Sequence, residues 1–111
     1  MTRDFKFWLG DKIYIVYADC NNENRLELPF CESLVIKSLR VEEGNICYLH
    51  SGSYSDLICR EDEVDSYNSL THTLGIVLAF SSHEKVLNFC NKVNCGKVTF
   101  DHYMTKIFIE D

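Results

Sequence analysis

The stretch REDEVD, from Arg60 to Asp65, places four carboxylates and one guanidinium in six residues. Such carboxylates could bind a metal ion, act as a general acid and base, or attract a positively charged partner. A calcium loop of the EF-hand type needs alternating oxygen ligands, a central glycine and a distal glutamate, whereas this stretch has Val64 and no glycine. Acid and base catalysis needs two carboxylates held apart in a pocket, which sequence does not show. The residue types leave two readings, a surface for a basic partner or a solvated acidic rim.

Cysteine and histidine side chains supply a second set of candidates, with six Cys and four His in the chain. A catalytic thiolate needs a neighbouring base, and no local signature joins the two residue types. Cys90, Cys95 and His102 could meet across the end of a predicted helix and bind zinc. Structural zinc sites, however, use closely spaced pairs such as C-x2-C, and Cys90 shares a helix face with Val86 and Val93. We therefore predict no metal, no cofactor and no catalytic residue.

Motifs for binding phosphate or activating a serine are also missing from the sequence. It contains no G-x-x-x-x-G-K-[ST], no G-x-G-x-x-G and no G-x-S-x-G, and its five glycines are scattered singly. These absences, together with the lack of a cysteine or metal signature, predict a protein that is not an enzyme.

The pattern of the first half of the chain predicts β-strands. Residues 12–18 are apolar at both alternating sets of positions, which predicts a strand covered on both faces. Residues 34–52 predict a hairpin with its turn at 42–45. A short strand at 57–59 runs directly into the acidic stretch, and Pro29 is assigned to an irregular segment between strands. In the hairpin we expect the inward-facing residues to be Val35, Leu39 and Val41.

The second half predicts one helix between strands. Residues 74–80 predict a strand, with a buried helix as the alternative. Ser81 and Glu84 form a capping-box signature and Gly96 occupies a C-cap position, so the helix is predicted over Ser82–Asn94. Two further strands are expected at 97–100 and 106–110. The helix face is predicted from residues that recur at helical spacing: Val86, Leu87, Cys90 and Val93.

Size and composition indicate one domain over residues 1–111. The chain is 46% apolar and has 14 aromatic residues, enough for a single core but too short for a second. The order of elements predicts a single small α+β domain, either an antiparallel SH3-like barrel or a curved sheet, with one helix from the C-terminal half packed on it.

The charge is unevenly distributed along the sequence. The formal net charge is -6, and it arises in residues 1–70, where 13 Asp and Glu face 7 Lys and Arg. Such a field opposes direct binding to nucleic acid, because affinity there comes mostly from Lys and Arg. It favours solubility and could steer a basic partner.

The amino terminus carries no apolar stretch of signal-peptide length. The longest apolar runs, 13–18 and 74–80, are far shorter than the about 20 residues that a membrane helix needs. We therefore expect a cytoplasmic protein without membrane contact, and reduced cysteines.

One group of residues resembles a known fold. The pattern of Gly10 and Asp11 before an apolar strand resembles the opening of small SH3-like barrels, and the resemblance covers about residues 5–66. The whole chain also looks like short proteins of bacteriophages and mobile elements, among them anti-CRISPR and other anti-defence inhibitors. That resemblance is one of size and charge. It implies an inhibitor whose carboxylates stand in for phosphates against a basic groove. The residues that carry the barrel pattern are Phe7, Gly10, Asp11, Ile13, Tyr14 and Val16.

These observations predict a non-enzymatic protein-interaction domain. The resemblance implies that it is an acidic phage-encoded inhibitor of a host nucleic-acid-binding defence complex. The alternative is a small-molecule or nucleotide-ligand module with a pocket between sheet and helix. The partner would be a host protein or protein–nucleic acid complex with a basic surface. The sequence is also compatible with a homodimer. Trp8 could instead belong to an edge strand that closes the core. The predicted contact residues are Glu42, Glu43, Glu61, Asp62, Glu63, Asp65, Trp8 and Tyr54.

Overall fold

The computed structural model describes residues 6–23, 25–42, 45–51, 57–70, 75–101 and 106–110, and for 42 and 45–51 it describes the backbone only. Within these residues the chain forms β-strands, one α-helix and one 3-10 turn, which we call the acidic turn. The elements are β1 Lys12–Cys20, β2 Leu26–Glu42, β3 Asn45–Ser51, β4 Leu57–Arg60, the acidic turn Glu61–Glu63, β5 Ile76–Phe80, α1 His83–Asn94, β6 Val98–Asp101 and β7 Lys106–Ile109.

The strands form two open antiparallel sheets. The larger sheet has the order β4-β3-β2-β1-β5, and β6 pairs with β7 in a separate hairpin. β2 is 17 residues long. Its first half pairs with β1 and its second half with β3, with register shifts in both pairings. The prediction of a small, mostly antiparallel α+β domain with one helix is confirmed.

Both faces of the larger sheet are covered by apolar side chains. On one face, Ile13 and Ile15 of β1 pack with residues of β2, β4 and β5. On the other face, which we call the helix face, Val16 and Ala18 of β1 pack with α1 and with the β6–β7 hairpin. Successive strand residues point to opposite faces, so the apolar residues at both alternating sets of β1 positions serve two cores. The predicted double coverage of β1 is confirmed.

The acidic turn leads the chain from one edge of the larger sheet to the other. Directly after it, Val64 forms a parallel bridge with Ala79 of β5. The amide of Asp65 then donates to the carbonyl of Ala79 at 2.9 Å, and that of Leu70 donates to Val77 at 2.8 Å. Residues 64–70 therefore run along β5, although they follow β4 in the sequence.

The predicted strand at 74–80 is confirmed over Ile76–Phe80 as β5, and the helical alternative is wrong. Residue 74 lies outside the described residues. All five residues of β5 are buried. They are distributed over both cores, with Val77 and Ala79 on one face and Ile76, Leu78 and Phe80 on the helix face. A five-residue run buried on two sides is typical of an interior strand.

The helix lies where the sequence predicts it, but its cap and one face position differ. The N-cap is Ser82, whose hydroxyl accepts from the amide of Lys85 at 3.3 Å. The capping box predicted for Ser81 is wrong because its hydroxyl donates to Asp65 instead. Leu87 is 51% exposed, while Phe89 is fully buried. Gly96 follows the helix at φ 71°, in the left-handed conformation that glycine adopts without strain.

The course of β2 corrects two predictions. Pro29 lies inside the strand, not in an irregular segment. Proline cannot donate to a ladder but is tolerated on a strand edge, and this part of β2 pairs with β1 on one side, while its pairing with β3 begins only at Val35. Val35 and Val41 are exposed, so their predicted inward orientation is also wrong. Leu34 and Ile36 occupy the core instead.

The described residues contain no helix whose length and apolar character would suffice to cross a membrane. The one helix among them, α1, has 12 residues and charged side chains in its first and last turns.

Candidate functional site

One carboxylate of the acidic turn, that of Glu63, makes a hydrogen bond inside the turn. The backbone amide of Arg60 donates to Oε1 of Glu63 at 2.9 Å, and the carbonyl of Glu63 accepts from the hydroxyl of Ser66 at 2.8 Å. Glu63 is only 6% exposed. Its carboxylate therefore closes the turn from inside.

Asp65 fixes the segment after the turn to the beginning of α1. Its carboxylate accepts hydrogen bonds from the amide of Ser81 at 2.9 Å, the hydroxyl of Ser81 at 2.6 Å and Nζ of Lys85 at 2.9 Å. Burial by itself would raise the pKa of Asp65, but the hydrogen bonds from Lys85 and Ser81 outweigh it and hold the pKa below its usual value. The same contact raises the pKa of Lys85. Asp65 thus connects the segment after the acidic turn to Ser81 and to Lys85 of α1.

Asp62 presents its charge on the surface. Its carboxylate lies 2.6 Å from Nη2 of Arg60, and its side chain is 60% exposed. Ion pairs at this exposure contribute little to stability, because water and salt screen them. The pair leaves a carboxylate at the surface, where a positively charged partner could reach it.

Glu61 joins the acidic turn to the amino-terminal segment. Its Oε2 accepts a hydrogen bond from the backbone amide of Lys6 at 3.3 Å. Phe7 then packs against the core, and Trp8 is 58% exposed. An exposed tryptophan therefore lies two residues along the chain from a backbone contact with the acidic turn.

A tight turn holds Trp8 in place. Its amide donates to Oδ2 of Asp11 at 2.8 Å, and the amide of Asp11 donates to the carbonyl of Trp8 at 3.1 Å. Gly10, at φ 91°, donates to the carbonyl of Ile36, and the amide of Ile36 donates to Asp11. The turn is consequently anchored on β2, so the exposed indole belongs to an ordered surface and is not part of an edge strand.

Of the predicted contact residues, Glu61 and Asp62 lie on the acidic turn, and Trp8 lies two residues after Lys6, whose amide donates to Glu61. We call these three residues the anchor surface. The structure gives Glu63 and Asp65 internal hydrogen bonds. Glu42 ends β2, with its side chain outside the described part of the chain, and Glu43 and Tyr54 lie outside the described residues altogether. The bonding of Asp65 to Ser81 and the contact of Lys6 with Glu61 have no sequence signal, since both join residues distant along the chain.

The described residues give little support to a metal site or to a reactive cysteine. No three His, Cys, Asp or Glu side chains there are grouped so that they could hold a metal ion, and His102 lies outside the described range. Burial raises the pKa of Cys20. Burial and the nearby Cys31 raise the pKa of Cys90. A raised thiol pKa reduces the thiolate population at neutral pH, and thereby the reactivity of the sulfur.

The space between the larger sheet and α1 is filled by aromatic side chains. Phe80 of β5 and Phe89 of α1 have ring centroids 5.3 Å apart, and Tyr67 lies 5.9 and 5.8 Å from them. Val86 is buried in the same cluster. These rings pack in the region between sheet and helix where the alternative prediction expects a ligand pocket.

The comparison with known proteins finds no relative: no family model, no curated protein and no solved structure matches the chain.

Proposed function

We propose that this chain is a non-enzymatic protein-interaction domain that binds a basic surface of its partner through the anchor surface. The observation that carries the proposal is the hydrogen bond between the amide of Lys6 and the carboxylate of Glu61. It ties the segment two residues before the exposed Trp8 to the acidic turn. This contact supports a surface on which an apolar anchor and carboxylates meet one partner together.

The two parts of the anchor surface have different tasks in this proposal. The carboxylates of Glu61 and Asp62, with a net charge of -6 on the chain, steer a basic partner and raise the association rate. The indole of Trp8 supplies the buried contact that slows dissociation, as tryptophans do at the centres of interfaces. Binding should weaken as salt is added, because the steering interactions are screened.

The most specific form of the proposal is an acidic inhibitor, encoded by a phage or mobile element, of a host nucleic-acid-binding defence complex. The anchor surface would occupy a groove lined with Lys and Arg, and the carboxylates would stand where phosphates bind. The small size, the acidic charge and the resemblance to anti-CRISPR proteins support this form. Direct nucleic-acid binding is not part of it, since phosphate contacts need Lys and Arg.

We further propose that the larger sheet is a partly open SH3-like barrel. The order β4-β3-β2-β1-β5, the long β2 shared between two strand pairs, and the 3-10 turn between β4 and the β5 edge support this assignment. The parallel bridge between Val64 and Ala79 lies where a barrel of this kind would close.

The test is affinity capture from bacterial lysate with mass-spectrometric identification of the bound proteins. The parent is compared with Glu61→Gln/Asp62→Asn, with Trp8→Ala, and with Glu23→Gln/Glu110→Gln. The last variant removes two exposed charges elsewhere and is matched in net charge to the first. Glu63 and Asp65 are left unchanged because their substitution would disturb the fold.

The proposal expects one nucleic-acid-handling complex on the parent and on the matched control, and its loss from the other two variants. Equal capture by all four proteins, or capture of no such complex by the parent, would contradict it. Loss from the matched control as well would show that only net charge matters, which also rejects a specific anchor surface.

A further inference from the structure

β1 and β2 carry a group of aromatic and acidic side chains that the anchor surface does not include. Tyr17 and Phe30 are partners in the strand pair, with ring centroids 5.2 Å apart. The hydroxyl of Tyr17 donates to Oε1 of Glu32 at 3.0 Å. Tyr17 packs against the core on the sheet face away from α1, whereas Phe30 is 42% exposed. Tyr17 thus links that core to an exposed phenylalanine ring.

Beyond a register shift, the following pair of the same strands consists of two carboxylates. Asp19 and Glu27 are directly opposite each other, and both are exposed. The register of the strand pair shifts between Tyr17 and Asp19. The neighbours of Asp19 on β1, Ala18 and Cys20, pack on the helix face, so Asp19 projects from the opposite face, which carries Tyr17. No ion pair joins either carboxylate to a basic side chain of the described residues. Like charges in opposite positions destabilise a strand pair, so a bound cation would relieve an unfavourable contact present in the free protein.

We propose that Asp19, Glu27, Tyr17 and Phe30 form a docking surface for an arginine side chain of a partner protein. A guanidinium stacks on aromatic faces and pairs with carboxylates in a planar geometry. The strand pair offers both kinds of group side by side. The hydrogen bond from Tyr17 to Glu32 fixes the phenol ring, so that half of the surface is preorganised.

The chemistry of the surface favours an arginine over other occupants. A metal ion would use the two carboxylates but would gain little from a half-exposed phenylalanine ring. Nucleic acid phosphates would be repelled by both carboxylates. The surface lies toward the Cys20 end of β1, while the Trp8 turn lies at its Lys12 end, and the proposal therefore stands independently of the anchor surface.

The experiment is a ¹H–¹⁵N titration of the full chain at low salt with an acetylated and amidated tetra-arginine peptide. The amide chemical-shift changes should concentrate on residues 17–19 and 27–32 and should reach a plateau as peptide is added. Asp19→Asn/Glu27→Gln should weaken binding by about tenfold, because it removes two charge contacts. Phe30→Leu leaves every charge in place and should weaken binding by about two- to fivefold through loss of the ring. Glu61→Gln/Asp62→Asn is the matched control and should leave these shifts unchanged.

Four results would overturn the proposal. Three of them are chemical-shift changes spread over acidic residues of the whole surface, changes centred on the acidic turn, and undiminished binding by Asp19→Asn/Glu27→Gln. The fourth is equal binding by Phe30→Leu, which would reject the aromatic contribution that the proposal requires. A thermal melt accompanies each variant. Asp19→Asn/Glu27→Gln should melt no lower than the parent because it removes a like-charge pair, so weaker binding by this variant reports on the surface itself.

Discussion

The ammonium group of Lys85 in α1 lies 2.9 Å from Oδ2 of Asp65, 20 residues earlier in the chain. The same carboxylate holds both the amide and the hydroxyl of Ser81. Asp65 has φ 61°, in the left-handed region, which aspartate and asparagine enter more readily than most residues. One side chain therefore sets the path of the segment that follows the acidic turn and connects it to the start of the helix.

Replacing Asp65 by alanine should destabilise the protein by about 1–3 kcal/mol, because the donors of Ser81 lose their acceptor. Asp65→Asn should cost less, since it keeps an acceptor oxygen and tolerates the left-handed backbone. Urea unfolding provides the measurement. Asp62→Asn is the control and should change the unfolding free energy by less than about 0.5 kcal/mol. Equal stabilities of Asp65→Ala and Asp62→Asn would contradict the structural role.

The lowered pKa of Asp65 predicts a loss of stability in acid. The folded state binds the proton less tightly than the unfolded chain, in which an aspartate has a pKa of about 3.9. The contribution of Asp65 is therefore complete above that value and is lost as the pH falls through the lower folded pKa. The difference in unfolding free energy between the parent and Asp65→Asn should shrink between pH 6 and pH values of about 2–3. A constant difference would rule the linkage out.

Tyr17 should produce the opposite dependence in alkali. Burial, the hydrogen bond to Glu32 and the negative charge of Glu32 raise the pKa of Tyr17 to about 12. The stability from its protonated form is complete below the unfolded pKa of about 10 and is lost as the pH rises toward the folded value. In a phenolate absorbance titration, Tyr17→Phe should remove the component that titrates near 12. Glu32→Gln should lower that pKa only in part, because burial is the largest cause. Removal of a component near 10 instead would show that Tyr17 has an ordinary pKa.

Phe89 and Leu87 test which face of α1 carries the packing. Phe89 is fully buried against Phe80 and Tyr67, so Phe89→Ala should cost about 3–5 kcal/mol in unfolding free energy. Leu87 is exposed, and Leu87→Ala should stay within about 0.5 kcal/mol of the parent. Both changes introduce the same residue into one helix, so the difference in helix propensity is small. Similar losses from the two variants in urea unfolding would reject the observed orientation of α1.

Much of the element order could be predicted from local signals. β1 is apolar at both sets of positions because it serves two cores, and β5 is a short apolar run buried on both sides. Gly96 marks the end of α1 because glycine adopts the left-handed conformation there. Each of these signals depends on residues adjacent in sequence, and for this reason it was readable without the structure.

The missed features depend on contacts between distant residues. Pro29 predicts a break, yet β2 continues through it because that part of the strand pairs with β1 on one side. The prediction treated Glu63 and Asp65 as surface carboxylates equivalent to Asp62. Only the return of the chain beside β5 shows that Asp65 meets Ser81, and only the folded turn shows that Glu63 is buried. Charge density along a sequence therefore does not reveal which carboxylates a partner could reach.

Two serines precede α1, and an aspartate substituted for each in turn can show which of them caps the helix. Ser82 caps the helix, and aspartate is an equally good cap residue whose charge also suits a helix N-terminus. Ser82→Asp should therefore retain the thermal stability of the parent, whereas Ser82→Ala should lose about 1 kcal/mol. Ser81→Asp places a second carboxylate where the Ser81 hydroxyl now lies 2.6 Å from Asp65, and repulsion should lower the melting temperature clearly. The three variants differ from the parent by one small side chain each, so melting curves followed by circular dichroism compare them directly. If Ser81→Asp retained full stability while Ser82→Asp lost it, Ser81 would be the cap and the bond between Ser81 and Asp65 would not form.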